Sequence, residues 1–246
     1  MNRQTLQADA PLSATAATPL LSVKDLAVRF ATREGVVEAV NGVNFNLARG
    51  EVLGILGESG SGKSVSLRAI MGILPRGRTT VTGSINFDGH ELLSMPEKEL
   101  DRLRGPEIAM IFQEPMTALD PVFTVGEQIA ETIVRHEGVD WSTANARAKN
   151  FLEMVRIPSP ERRLQAYPHE MSGGMRQRAM IALALSCKPK LLLADEPTTA
   201  LDVTVQIQII LLLRELQREL GMAVIFVTHD VGVASEISDA VAVMYG

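Results

Sequence analysis

The chain has a single cysteine, Cys187, among 246 residues. One thiol excludes an internal disulfide framework and a cysteine-ligated cluster, and it fits a reducing compartment. Cys187 itself is expected to be a small buried hydrophobe. Positive charge is in deficit: 24 Lys and Arg face 29 Asp and Glu, a net charge of −5. That balance argues against general affinity for nucleic acid and against a polybasic membrane anchor. Long apolar runs are missing too. The densest stretches, Ala179 to Leu185 and Ile209 to Leu213, fall well short of the roughly 18–20 residues that cross a bilayer, so any membrane role is expected to be peripheral. Residues 1–20 lack both a basic start and a continuous apolar stretch. They are read as a disordered tail rather than a signal peptide, which places the protein in the cytoplasm.

What is present is enough apolar material, 46% of residues, for one substantial core or two modest subdomains. Residues 21–56 alternate apolar and polar, with Gly35 and Gly42 as breaks, and predict short, half-exposed antiparallel strands. The run VLGIL (52–56) is continuously apolar, ends in glycine and leads into a helix-compatible segment, as a buried parallel strand does. TGSINFDG reads as a strand and IAMIF (108–112) as a second buried one. From Met116 to Cys187 the pattern is mainly helical, with one helix opening at a Ser142 cap and with Pro158, Pro160 and Pro168 as breaks. Strands and helices then alternate: KLLLAD, a helix from Val203 to Leu220, MAVIFVT, VGVASEIS and DAVAVMY. In the first of those helices Val205, Ile209, Leu212, Leu216 and Leu220 share one face, so it should lie on a sheet. The alternation predicts a parallel α/β core, with an antiparallel β subdomain before it and a helical subdomain inserted at about 116–187.

Gly57-Glu58-Ser59-Gly60-Ser61-Gly62-Lys63-Ser64 fits G-x-x-x-x-G-K-[ST] in the required place, after a buried strand and at a helix start. Glycines let such a loop curl until its backbone N–H groups face phosphate oxygens, helped by the positive end of the helix. Lys63 would neutralise the β- and γ-phosphates, and Ser64 would hold Mg²⁺. At the end of the apolar run before it, Asp195 would reach the Mg²⁺ shell and Glu196 would polarise the attacking water. Gln113 and His229 each follow a buried run, so both belong on the rim where strand ends meet the nucleotide. Gln113 could ligate Mg²⁺ or its water; His229 could donate to the γ-phosphate or steady Glu196. Ser172-Gly173-Gly174 opens another helix, and its free N–H groups with the Ser172 hydroxyl make a further anion site. One ATP is already cradled by the first loop, so this second site should serve a different nucleotide.

In that order, the glycine-rich loop, Gln113, SGGMRQR, LLLADEP, Ala200-Leu201-Asp202 and Thr228-His229-Asp230 resemble the ATP-binding cassette of ABC transporters over residues 21–246. The resemblance implies a P-loop NTPase fold, ATP and Mg²⁺ as ligands, and two cassettes packed head to tail. It carries Gly57 to Ser64, Val65 and Gln113 over as ATP contacts, Lys63, Gln113, Glu196 and His229 as catalytic groups, and Ser64, Gln113 and Asp195 as metal ligands. It also makes Ser172, Gly173 and Gly174 a loop that acts on the partner's nucleotide, and Asp202 a dimer contact. Phe30, ending the first strand, is the candidate for stacking on adenine. Met175 stands where the family most often has glutamine.

The wording IFQEPM, PVFTVGEQ, SGGMRQR and DEPTTALDVTVQ is similar to bacterial dipeptide, oligopeptide and glutathione importers, with nickel importers close behind. This implies a second cassette, identical, homologous or fused, and two permeases contacted beside Gln113 and the helical subdomain. A periplasmic solute-binding protein would act indirectly, and the site of work would be the cytoplasmic face of the inner membrane. DNA-repair or translation-associated ATPases share such a loop, but the chain has no sustained heptads and an acidic balance. The sequence stops within the expected last strand, which implies a truncated C-terminus.

Overall fold

The computed structural model describes residues 18–113, 118–199 and 201–245. The expected tail up to residue 17, Met116 at the start of the expected helical stretch, and Ala200 therefore lie outside the described residues.

The strands are β1 (Leu21–Thr32), β2 (Gly35–Leu47), β3 (Val52–Gly57), β4 (Thr79–Phe87), β5 (His90–Glu91), β6 (Ile108–Ile111), β7 (Leu191–Asp195), β8 (Ala223–Thr228) and β9 (Ala240–Met244). They form an antiparallel sheet of order β2-β1-β4-β5 and a parallel sheet of order β6-β7-β8-β3-β9. The expectation of short first strands is corrected: β1 and β2 run 12 and 13 residues. Register shifts between Val23 and Arg29 let this long, twisted ribbon stay paired, and Gly42 sits inside β2 rather than ending it. Gly35, at φ 136°, opens β2 directly after the bend at Arg33 and Glu34 and pairs with Thr32.

In the parallel sheet, alternate residues face opposite cores. Leu53, Ile55, Leu191, Leu193, Ile225 and Val227 join one cluster with the antiparallel sheet and helix α1 (Lys63–Ile70). Val52, Leu192, Ala194, Val224 and Phe226 join the other, against the later helices. A strand buried on both faces has no polar alternation to show, which is why these runs read as continuously apolar.

After α2 (Glu97–Leu103) come α3 (Val125–Glu137), α4 (Trp141–Met154), α5 (Pro160–Leu164), α6 (Gly173–Leu185), α7 (Val203–Leu220) and α8 (Val231–Ile237), eight helices among the described residues. A reciprocal cap between Thr124 and Glu127 starts α3. The expected cap of α4 is corrected from Ser142 to Asp140, whose Oδ1 accepts from the Thr143 N–H at 3.0 Å. Ser142 lies inside the helix, which starts two residues earlier than expected and buries Ala144, Ala148, Phe151 and Leu152. α7 buries Ile209, Leu212 and Leu216, with Val205 and Leu220 partly covered. It is capped by Asp202, whose carboxylate accepts from Val205 N–H, and stopped by Gly221 in the left-handed region.

Candidate active site

Four neighbouring strands, β6, β7, β8 and β3, point their C-terminal ends the same way. Each is followed by a motif singled out in the sequence: Gln113, Asp195-Glu196, His229 and the Gly57–Ser64 loop. Bringing them to one rim is a consequence of parallel pairing, since a parallel sheet collects all its carboxyl ends on one edge.

The loop is shaped by backbone that only glycine tolerates. Gly60 and Gly62 have φ of 85° and 90°. A Cβ on Gly62 would lie 2.4 Å from the Ala39 carbonyl, and one on Gly57 would lie 2.4 Å from the Met244 carbonyl and 2.7 Å from Ser61 Oγ. β2 and β9 thus press on the loop from either side. Helix α1 has no acidic residue in its first turn and no side-chain cap, so its positive end is left to an anion. Lys63, only 4% exposed, donates from Nζ to the Gly57 and Glu58 carbonyls at 2.8 and 2.7 Å. A buried ammonium held by its own loop's carbonyls is a cation ready to exchange those partners for phosphate oxygens.

Beside it, Ser64 Oγ donates to Asp195 Oδ1 at 2.7 Å. Asp195 is 1% exposed. Burial pushes its carboxyl above the ordinary range, with the Ser64 hydrogen bond working in the opposite direction. A hydroxyl and one carboxylate are hard oxygen donors, which suits Mg²⁺ that arrives with phosphates and keeps waters. Among the described residues no group of three or more His, Cys, Asp or Glu is clustered to hold a metal by itself. The donor set therefore fits a cation shared with a nucleotide.

Glu196 is the meeting point of the rim. It adopts φ 44°, a left-handed conformation that a non-glycine residue enters only when its surroundings impose it. Its Oε2 accepts from Gln113 Nε2 at 3.4 Å and from Thr199 Oγ1 at 3.0 Å, and stands 3.5 Å from His229 Nδ1. Gln113 and His229 thus both stand beside Glu196. Thr199 was not singled out in the sequence. The only signal was a hydroxyl three residues after a carboxylate, and its use depends on a turn that composition does not reveal. A cleft of about 380 Å³ opens next to these groups, lined by Leu56, Gly57, Glu58, His229 and the end of β9.

Phe30 is not in that lining. It sits half-buried on β1, paired with Val37 and Thr79 and packed against the antiparallel-sheet core. Ser172, Gly173 and Gly174 form a separate place in the molecule. Ser172 caps α6, its Oγ accepting from Met175 N–H at 3.3 Å. A Cβ on Gly173 would sit 3.6 Å from Leu201, and one on Gly174 only 2.9 Å from Val205 Cγ1. The two glycines therefore lie directly on the start of α7. No acidic residue occupies the first turn of α6, which leaves this helix end open to an anion as well.

Comparison with known proteins agrees with this geometry. The ABC transporter family profile matches residues 40–199. The oligopeptide transport ATP-binding protein OppD of Bacillus subtilis (strain 168) is 53% identical over 229 residues, 93% of this chain and 64% of that protein. OppD of Escherichia coli (strain K12) is 53% identical over 239 residues, 97% of this chain and 70% of that protein. The glutathione import ATP-binding protein GsiA of Salmonella typhimurium (strain LT2) is 52% identical over 232 residues, 92% of this chain and 37% of that protein. The chain thus spans about two thirds of the OppD relatives and little more than a third of GsiA. The dimeric structure of the bacterial ABC transporter cassette MJ0796 superposes with a TM-score of 0.81 at 30% identity, covering 92% of this chain and 94% of that one. A post-hydrolysis state of the same cassette, bound to ADP and Pi, gives 0.80. With its ATP-binding cassette fold and its rim of phosphate-loop, carboxylate, glutamine and histidine groups, this chain belongs to the ABC transporter family.

Proposed function

We propose that the chain binds and hydrolyses ATP as the motor subunit of a bacterial importer of peptides or glutathione. It would pair with a second cassette and work on two permeases at the cytoplasmic face of the inner membrane. The observation that carries the enzymatic part is the convergence of Gln113, Thr199 and His229 on one oxygen of Glu196, beside the Ser64–Asp195 pair.

In this reading the Gly57–Gly62 backbone, with Glu58, Ser59, Ser61 and Val65 around it, receives the phosphates, and Lys63 gives up its loop carbonyls to them. Ser64 and Asp195 would hold Mg²⁺, which would supply neutralisation of phosphate charge. Glu196 accepts a proton from the attacking water as its oxygen bonds to the γ-phosphorus. The bond to the bridging oxygen then breaks, and ADP leaves with the electron pair. Gln113 and His229 fix the Glu196 carboxylate and border the water's position. Phe30 stacks on adenine. Ser172, Gly173 and Gly174 close on the γ-phosphate held by the partner cassette, and Asp202 helps shape that interface. Each hydrogen bond to a charged group is worth about 1.5–3 kcal/mol, so two contacts at each of two sites give roughly 6–12 kcal/mol gross. Turning a pair from mostly open to mostly closed takes about 5.5 kcal/mol. ATP binding is thus large enough to drive closure even after substantial desolvation loss, and ADP, lacking the bridging phosphate, would release it.

The substrate assignment takes its support from the OppD and GsiA relatives. No described helix is long and apolar enough to cross a membrane, so permeation is assigned to partner subunits. Glu196→Gln tests the chemistry: Mg-ATP binding should persist while turnover falls at least about a hundredfold. A variant that hydrolyses ATP at the original rate would remove Glu196 from the mechanism. Copurification with integral membrane subunits and uptake of labelled peptide test the transport assignment.

A further inference from the structure

We propose that Thr199 is a positioning residue for hydrolysis, holding Glu196 so that one carboxylate oxygen is spent on donors and the other faces water. The inference rests on the reading of Glu196 as the proton acceptor and extends it to a residue outside the rim motifs.

Gln113 and Thr199 donate to Oε2, His229 Nδ1 stands beside the same oxygen, and among the described residues no hydrogen bond reaches Oε1. The contacts are unequal. Gln113 and His229 stand at 3.4 and 3.5 Å, near the outer limit for a hydrogen bond, whereas the Thr199 hydroxyl stands at 3.0 Å. Gln113 and His229 also arrive from other strands, but Thr199 belongs to the same turn. Its N–H donates to the Glu196 carbonyl at 3.2 Å while its side chain takes the carboxylate, so one residue grips both ends of Glu196.

That grip is itself anchored. Gln206 on α7 donates from Nε2 to the Thr198 carbonyl at 3.1 Å, tying the turn to the helix that follows. Glu196 is half-buried and held at φ 44°, a conformation that needs imposed restraint. A β-branched residue has few rotamers, so Thr199 presents its hydroxyl in a fixed direction. Without that hydroxyl, Glu196 would retain only the two long contacts and could turn Oε1 away from the reacting water. Misplacing a proton acceptor slows the chemical step without weakening ground-state binding.

The test uses steady-state ATPase and fluorescent-nucleotide binding on the full chain, comparing Thr199→Val, Thr199→Ser and Glu196→Gln. Thr199→Val keeps the shape and removes the hydroxyl; kcat should fall about tenfold, with KM and nucleotide affinity changed by no more than about twofold. Thr199→Ser restores the hydroxyl and should bring kcat most of the way back, which a purely packing role for the Thr199 methyl would not do. Where the valine variant melts early, Thr199→Ala, which adds no bulk, reads the same loss. A Thr199→Val enzyme with unchanged kcat, beside an inactive Glu196→Gln, overturns the role of Thr199 and leaves Glu196 in place. A serine variant as slow as the valine one also overturns it. Normal turnover by Glu196→Gln would instead strike the underlying reading, and the inference with it.

Discussion

The tightest contact at the start of α6 makes a quantitative prediction. Gly174 occupies the first turn of a helix, where alanine is intrinsically favoured over glycine by up to about 1 kcal/mol. The structure predicts the opposite outcome for Gly174→Ala. The new methyl would stand 2.9 Å from Val205 Cγ1, when carbon atoms pack at about 3.5–4.0 Å. Either α6 or α7 must yield by more than half an ångström, roughly, and overpacking of this kind costs about 1–3 kcal/mol. Setting the propensity gain against that, the variant should lose about 0–2 kcal/mol, or up to several degrees of melting temperature for a chain this size. Functional damage should exceed the stability loss, because the displaced backbone is the one proposed to close on a partner's phosphate.

The partner substitution separates steric overlap from other causes. Val205→Ala removes both Cγ atoms that approach Gly174, at 2.9 and 3.9 Å. By itself it should be mildly destabilising, since Val205 is only partly buried against the helical core. In the double variant the new methyl fits the space the old ones left. The cycle should therefore show a favourable coupling of about 1–2 kcal/mol in urea or thermal unfolding. ATP-driven pairing, followed by analytical ultracentrifugation in a Glu196→Gln background, should be lost in Gly174→Ala and recovered in the double variant. Strict additivity, within about 0.5 kcal/mol, would refute the steric argument and detach the loop from α7.

Two other outcomes follow from separate parts of the molecule. Ser172→Arg places a long cation where a hydroxyl now caps α6, so it should leave ATP binding by the single chain nearly intact while abolishing ATP-driven pairing; unchanged pairing in sedimentation would defeat the proposed role of that loop. His136, packed against Gly105, has its pKa lowered below the ordinary 6.5, first by burial and then by Arg135. The unfolded chain therefore binds more protons between the lowered value and 6.5, and stability should rise with pH through that window and fall on acidification. His136→Gln should flatten that part of the melting-temperature profile, and an unchanged slope would exclude His136 as its source.

Much of the site was legible because parallel strands leave a simple trace. A continuous apolar run followed by a polar residue locates the carboxyl edge of the sheet, and that edge is where Gln113, Asp195, Glu196 and His229 lie. The glycine spacing of residues 57–62 was equally readable, since Gly60 and Gly62 use backbone that other residues avoid. What escaped depends on tertiary choices. Asp140 and Ser142 are both acceptable caps, and residue type alone does not decide between them. The length of β1 and β2 depends on register shifts, which the alternation of residues 21–47 does not announce. The contact of Thr199 with Glu196 depends on a tight turn entered through the left-handed backbone of Glu196, which the residue types do not announce.

The same dependence explains why the first turn of α7 matters more than its sequence suggests. Val205 faces Gly174, in the loop proposed to reach across to a second cassette. Its neighbour Gln206 holds the Thr198 carbonyl, in the turn proposed to orient Glu196 for the chain's own nucleotide. Asp202 caps that turn of helix, its carboxylate accepting from the Val205 N–H and its carbonyl from the Gln206 N–H. A shift of α6 on phosphate contact would press on Val205, and the helix carrying Val205 also carries Gln206. Adjacent residues on a rigid helix cannot move independently. A Gln206→Ala substitution should slow turnover through Glu196 while leaving the Gly174–Val205 contact, and with it ATP-driven pairing, in place.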